Sequence, residues 1–236
     1  MLRIENLTKT YGDKRAVDNL ALSIPAGEIC GFIGHNGAGK TTTIKSVCGL
    51  IKFDSGEIHI DGISLKDDPI ACKMRTAYIP DSPDLYEFLS GIKYLNFVAD
   101  IYGIPSDTRR ERIRKYADMF ELTGDLAQPV SAYSHGMKQK LALISALIHE
   151  PKLMILDEPF VGLDPKASRV LKDLMRYVCD SGGAIFFSTH ILEVAEKLCD
   201  RIAIIKAGKL IASGPMDEVK GDSSLESIFF ELEAEV

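Results

Sequence analysis

The octapeptide GHNGAGKT, Gly34 to Thr41, has the spacing G-x-x-x-x-G-K-[ST]. Glycines at this spacing let consecutive backbone N–H groups close around phosphate oxygens, which side chains would obstruct. In that reading Gly34, His35, Asn36, Gly37, Ala38 and Gly39 form a cradle. Lys40 reaches the β- and γ-phosphates, the Thr41 hydroxyl binds Mg²⁺, and Thr42 extends the donors at the helix start. A plain glycine turn is the competing reading. It does not explain why the octapeptide sits between an apolar strand, CGFI, and a helix.

A triphosphate bound there needs a second metal anchor, and LMILDE offers one. Its apolar run ends in Asp157, which can hold the Mg²⁺ water shell. Glu158 follows and can accept a proton from an attacking water. A pair of surface acids at a strand end is the ordinary alternative. His190 closes GAIFFSTH, another apolar run. Alone, such a histidine is more often structural. Beside the loop and the acids it reads as a γ-phosphate contact, because ligands in open parallel sheets gather at the strands' carboxyl edge.

YSHGMKQKLALISALIHE, from Tyr133 to Glu150, raises a further possibility. It reads as a helix whose first turn carries no acid, an open N-terminus suited to an anion. Ser134 adds a hydroxyl and Gly136 permits close backbone approach. One chain thus carries two anion sites, about a hundred residues apart.

The elements that must position these groups alternate. LALSI and EICGFIG bracket the turn PAGE, and the loop's helix is expected to end near Gly49. GEIHIDG, RTAYIP, KLMILDEP, GAIFFSTH and DRIAIIKAG read as strands. From about Asp84 to Gln128 the pattern turns helical, in GIKYLNFVADIYG and DTRRERIRKYADMFEL. Strands alternating with helices imply a mostly parallel sheet covered on both faces. The 236 residues are expected to form a single domain. The C-terminal SLESIFFELEAEV is expected to form a short amphipathic helix packed on that domain.

Composition narrows the function classes. A net charge of −6 does not suggest a nucleic-acid-binding face. The five cysteines, scattered and without ligand spacing, read as reduced core thiols of a cytosolic protein. No apolar run approaches the ~18 residues of a spanning helix, and no signal peptide is recognised. A membrane role therefore has to come through a partner.

Together these segments resemble the nucleotide-binding subunit of an ATP-binding cassette (ABC) transporter, from Tyr11 to about Gly214. GHNGAGKT stands as Walker A and LMILDE as Walker B. YSHGM takes the place of the LSGGQ signature, GLDP that of the D-loop with Asp164, and STH that of the switch histidine. Tyr11 in KTYG matches the aromatic residue that stacks on adenine. The resemblance implies an α/β P-loop NTPase fold: a mostly parallel central sheet, an N-terminal antiparallel β subdomain, and a helical subdomain inserted at approximately 84–150. It implies ATP and Mg²⁺ as ligands and two cassettes, identical or related, that meet head to tail. Ser134, His135, Gly136 and Met137 would then contact the ATP of the partner cassette. It also implies a transmembrane permease subunit as partner and a peripheral place on the cytoplasmic side of the membrane.

Some positions depart from the family pattern. Tyr133, His135 and Met137 replace Leu, Gly and Gln of the signature, and Asp81 stands where a glutamine usually approaches Mg²⁺. Asp81 can still hydrogen-bond a Mg²⁺-bound water. That substitution and the compact ending look export-like. The cluster Leu85, Tyr86, Phe88 and Leu89 reads either as a docking groove or as core. The run TRRERIRK, Thr108 to Lys115, reads as a solvated helix face or as a contact for anionic headgroups. A non-transport ABC ATPase of DNA repair or translation is the second functional reading. A stand-alone P-loop kinase is the third, but it would leave the signature helix and GLDP unexplained.

Overall fold

A computed structural model describes residues 1–234, with side chains through Leu232. The chain opens with β1 (Leu2–Tyr11), β2 (Lys14–Ile24) and β3 (Ile29–Ile33), followed by α1 (Lys40–Val47). Next come β4 (Ser55–Ile60), β5 (Ile63–Ser64), α2 (Pro69–Met74) and β6 (Thr76–Ile79). Strand β1 was not expected from the sequence, and β2 begins earlier and runs longer than LALSI suggested. Strand β1 alternates buried and exposed residues, as expected of an antiparallel strand with one wet face. A four-stranded antiparallel sheet has the order β2-β1-β4-β5.

The helical stretch comprises α3 (Gly91–Ile101), α4 (Ser106–Met119) and α5 (His135–Leu147), with short 3₁₀ turns between the last two. After it come β7 (Leu153–Asp157), α6 (Pro165–Asp180), β8 (Ala184–Thr189) and α7 (Leu192–Leu198). The chain then forms β9 (Arg201–Lys206), β10 (Lys209–Pro215), α8 (Met216–Lys220) and α9 (Leu225–Ala234). The large sheet has the order β10-β9-β3-β8-β7-β6, parallel except for the hairpin partner β10.

The apolar strand runs have a direct cause. Cys30 and Phe32 of β3, Leu153 and Ile155 of β7, and Phe186 of β8 pack on the side of α1 and the antiparallel sheet. Their neighbours Ile29, Ile33, Met154, Leu156 and Phe187 pack on the side of α5 and α6. Both faces are covered, so every position is apolar. All five cysteines are buried and unbridged, and burial pushes the Cys179 thiol up to about 12.

Only Leu85 of the ambiguous apolar cluster is core. Leu85 is buried, whereas Phe88 is 82% exposed and Tyr86 is half exposed, 5.4 Å from the Phe97 ring. The basic run lies on α4, and part of it binds its own chain: Arg109 to Asp100 and the Ile104 carbonyl, Arg112 to the Ile148 carbonyl and Glu150. Helix α9 leans on α7 and α8, and Phe229 is buried there.

His149, just beyond α5, stacks on Tyr102 with ring centroids 3.8 Å apart. Burial lowers its pKa to about 4; the nearby Thr76 and Ser145 carbonyls pull the other way without well-formed hydrogen bonds. The unfolded chain, with a histidine near 6.5, therefore binds this proton first as pH falls. The contribution to stability is complete above pH ~6.5 and is lost as pH falls toward the folded value. Thermal melts of the wild type are expected to lose midpoint temperature between these limits. His149→Phe, which keeps the ring stack, is expected to flatten that dependence, and an equal slope in both proteins would contradict the assignment.

Candidate functional site

The loop between β3 and α1 is shaped by close backbone approach. Gly39 has φ 114°, and a Cβ there would meet the Ala16 carbonyl at 2.4 Å. At Gly34 a Cβ would lie 2.3 Å from the Ile205 carbonyl oxygen. Only glycine fits either place. The Lys40 ammonium arches back across the loop and donates to the Gly34 and His35 carbonyls at 2.6 and 3.2 Å. Burial lowers its pKa, and the charges of Glu158 and Asp157 oppose that shift. Helix α1 has no acid in its first turn, so its N-terminus keeps its partial positive charge toward the loop.

Strand β7 delivers the two acids. Asp157 is 3% exposed, and its Oδ2 accepts from the Thr41 hydroxyl at 2.9 Å. Two hard oxygen donors thus face one point, a pairing that suits Mg²⁺ with phosphates and water completing the shell. Glu158 sits at φ 49°, a left-handed turn that takes its side chain out of the strand. Its Oε1 lies 3.0 Å from Nδ1 of His190, whose side chain is more than half exposed.

A cleft of about 350 Å³ gathers Tyr11, Asn36, Gly37, Gly39, Lys40, Thr41, Thr42, Asp81, Asp157 and Glu158. Lys14 and Ala16 of β2 also line it, and the sequence reading did not include them. They were detectable only through the hairpin that brings β2 back past Tyr11. Tyr11 is half exposed at the mouth, under the Lys9 ammonium. Asp81 is exposed, and its Oδ1 accepts from the Ser82 N–H at 2.8 Å.

Three loop residues serve differently. Ala38 is buried and its carbonyl accepts from the Gly208 N–H. Gly34 and His35 face a second cavity with His190, Glu193 and Phe229, the His35 ring meeting Phe229 edge-on at 5.2 Å.

Ser134, His135, Gly136 and Met137 do not line the cleft of their own chain. Ser134 caps α5, its Oγ accepting from the Met137 N–H at 3.3 Å. One helix-start donor is therefore satisfied internally, while the hydroxyl proton remains available to donate outward. The His135 ring covers Gly162, where a Cβ would come within 2.5 Å of it. Asp164 caps α6 through the Ala167 N–H and pairs with Lys140 of α5 at 2.8 Å. The Lys140 hydrogen bond, with that N–H, holds its carboxyl below the usual range.

A family model described as ABC transporter matches residues 17–161, more than half of the chain. The chain is 34% identical over 240 residues to the ABC-type transporter ATP-binding protein EcsA of Bacillus subtilis, covering 100% of this chain and 97% of that one. Among solved structures it is similar to an ATP-binding subunit of an ABC transporter, with 35% identity, TM-score 0.95 and 99% of each chain covered. It is also similar to a dimeric structure of MJ0796, described as a bacterial ABC transporter cassette, with 25% identity and TM-score 0.83, covering 92% of this chain and 99% of that one.

Lys40→Ala is expected to retain the fold and to reduce ATP turnover at least ~10²-fold, the scale for losing one preorganised electrostatic donor. Phosphate release and circular dichroism on the same preparation check this. Turnover near wild type would remove Lys40 from the site.

Proposed function

The chain belongs to the ABC transporter family, and on that premise we propose that it powers a membrane transporter by ATP-driven closure of two cassettes. Its enzymatic activity is ATP hydrolysis. The observation that carries the reading is a division of labour. Phosphate loop, metal acid and base share one cleft, while the capped α5 terminus of the same chain stays outside it. A second cassette, of the same or a related chain, would supply the missing surface through its Ser134, His135, Gly136 and Met137 or their counterparts.

In the closed pair Tyr11 stacks on adenine, and Asn36, Gly37, Gly39, Lys40, Thr41 and Thr42 surround the phosphates. Mg²⁺, held by Thr41 and Asp157, would neutralise phosphate charge. Asp81 supports that shell through a water. Glu158 accepts the proton of the attacking water as its oxygen bonds to the γ-phosphorus. The bond from that phosphorus to the β,γ-bridging oxygen breaks, giving ADP and phosphate. His190, beside Glu158, contacts the γ-phosphate and orients the base. Asp164 and Lys140 tie the D-loop to the signature helix, so that closure moves both together.

The energetics are modest. Moving a two-state pair from 1:99 to 99:1 takes ~5.5 kcal/mol of differential binding. Shared between two symmetric nucleotides, that is under ~3 kcal/mol each, within reach of one or two charge-assisted hydrogen bonds. A serine hydroxyl and a helix terminus suffice on that scale. Hydrolysis removes the γ-phosphate link and the pair reopens.

Among the described residues no helix is long and apolar enough to cross a membrane. The transporter reading therefore needs a permease partner, with the cassette peripheral on the cytoplasmic side. The exposed Tyr86, Phe88 and Phe97 cluster is the surface proposed to receive it.

Glu158→Gln is expected to bind ATP, to hydrolyse it ~10²–10⁴-fold more slowly, and to run as a dimer on sizing chromatography with ATP and Mg²⁺. For a heteromeric pair the second cassette must be added. Wild-type turnover by this variant would place the base elsewhere, and a monomer under every condition would contradict closure.

A further inference from the structure

Ser188 is the last but one residue of β8, wholly buried, and paired in register with Asp157. Parallel register puts the two side chains on one face of the sheet. The Ser188 hydroxyl donates its only proton to Asp157 Oδ1. The Ser188 Oγ itself accepts from the Glu158 N–H at 3.1 Å, and the Ser188 carbonyl also accepts from that N–H, at 3.2 Å. One residue therefore touches both acids, the first through its carboxylate and the second through its backbone.

We infer that Ser188 is a positioning residue for the hydrolytic site, setting the divalent-cation affinity through Asp157 and the placement of the base through Glu158. This rests on the reading of Asp157 as metal anchor and Glu158 as base. With Oδ1 fastened to Ser188, the carboxylate cannot rotate, and Oδ2 is left facing the Thr41 hydroxyl. Asp157 would then offer an ion, or the water bound to it, one oxygen of fixed direction. Glu158 is a non-glycine residue in the left-handed region, a conformation that persists only when its surroundings hold it. The twofold grip of Ser188 on its N–H does so. Two residues further on, His190 lies against the Glu158 carboxylate, so the end of β8 holds the base at both backbone and side chain.

An alanine at 188 would leave Asp157 Oδ1 buried without a donor and free the carboxylate to turn. Loss of such an outer hydrogen bond typically weakens a metal ~10–100-fold. The test is a Mn²⁺ titration followed by electron paramagnetic resonance, in saturating ADP, on wild type, Ser188→Ala, Ser188→Thr, Asp157→Asn and the Ser188→Ala/Asp157→Asn pair. ADP binding in EDTA and thermal melts are measured on the same proteins.

Ser188→Ala is expected to weaken Mn²⁺ ~10-fold or more with ADP binding in EDTA unchanged, and Ser188→Thr, which keeps the hydroxyl, to recover most of that loss. On the Asp157→Asn background, Ser188→Ala is expected to add nothing. If Asp157→Asn weakens Mn²⁺ but Ser188→Ala does not, or if the two losses add in full, the positioning role is overturned while the metal anchor stands. If Asp157→Asn has no effect on Mn²⁺, the anchor reading fails and the role of Ser188 falls with it.

Discussion

Asp157 is almost wholly buried, yet the metal role proposed for it calls for a negative charge at the end of β7. An unpaired buried carboxylate costs several kcal/mol even after relaxation. Both of its oxygens are therefore held, one by Ser188 and one by Thr41, with the Lys40 charge close enough to be felt. The partners come from two elements, Ser188 from β8 and both Thr41 and Lys40 from the start of α1. Ser188 needs the register between β7 and β8, Thr41 needs α1 to start at Lys40, and Lys40 needs the loop to bend as it does. The loop in turn depends on Gly34 and Gly39 passing within contact of the Ile205 and Ala16 carbonyls. One buried charge thus fixes the relative placement of β3, β7, β8 and α1.

Much of this was legible in the residues. The apolar runs at β3, β7, β8 and β9 could be read because strands covered on both faces carry apolar side chains at every position. The phosphate-loop pattern was legible because its glycines, Lys40 and Thr41 lie within eight consecutive residues, although the contacts that require Gly34 and Gly39 come from the distant Ile205 and Ala16 carbonyls. Strands β1 and β10 were harder, since fewer than half of their residues are buried and their pairing is set by partners elsewhere in the chain. Ser188 could not be picked out, because its importance lies in pairing with a residue 31 positions away. The same holds for Lys14 and for the tie between Lys140 and Asp164. Contacts set by register or by packed loops leave little trace in local composition.

Helix α5 ties the loop at Gly162 and Asp164 to the helical layer. Its start carries Ser134, its first turns meet Gly162 and Asp164 of the D-loop, and its body packs on α3 and α4. A phosphate drawn to Ser134 would pull on the D-loop and the helical layer as one unit. The exposed aromatic cluster at Tyr86 and Phe88 borders that layer at Tyr94 and Phe97 of α3, so in the proposed mechanism a change at the nucleotide would reach the docking surface through packed elements.

In the proposed mechanism each hydrolytic site is shared between two chains. Two variants, Lys40→Ala and Ser134→Asp, test it when differently tagged, co-expressed and purified through both tags. Aspartate at 134 preserves the helix cap but sets a carboxylate against the γ-phosphate. Each variant alone is expected to be inactive. In the mixed dimer one site carries both lesions and the other carries neither, so hydrolysis is expected to return. A mixed dimer as inactive as its parents would contradict a shared site.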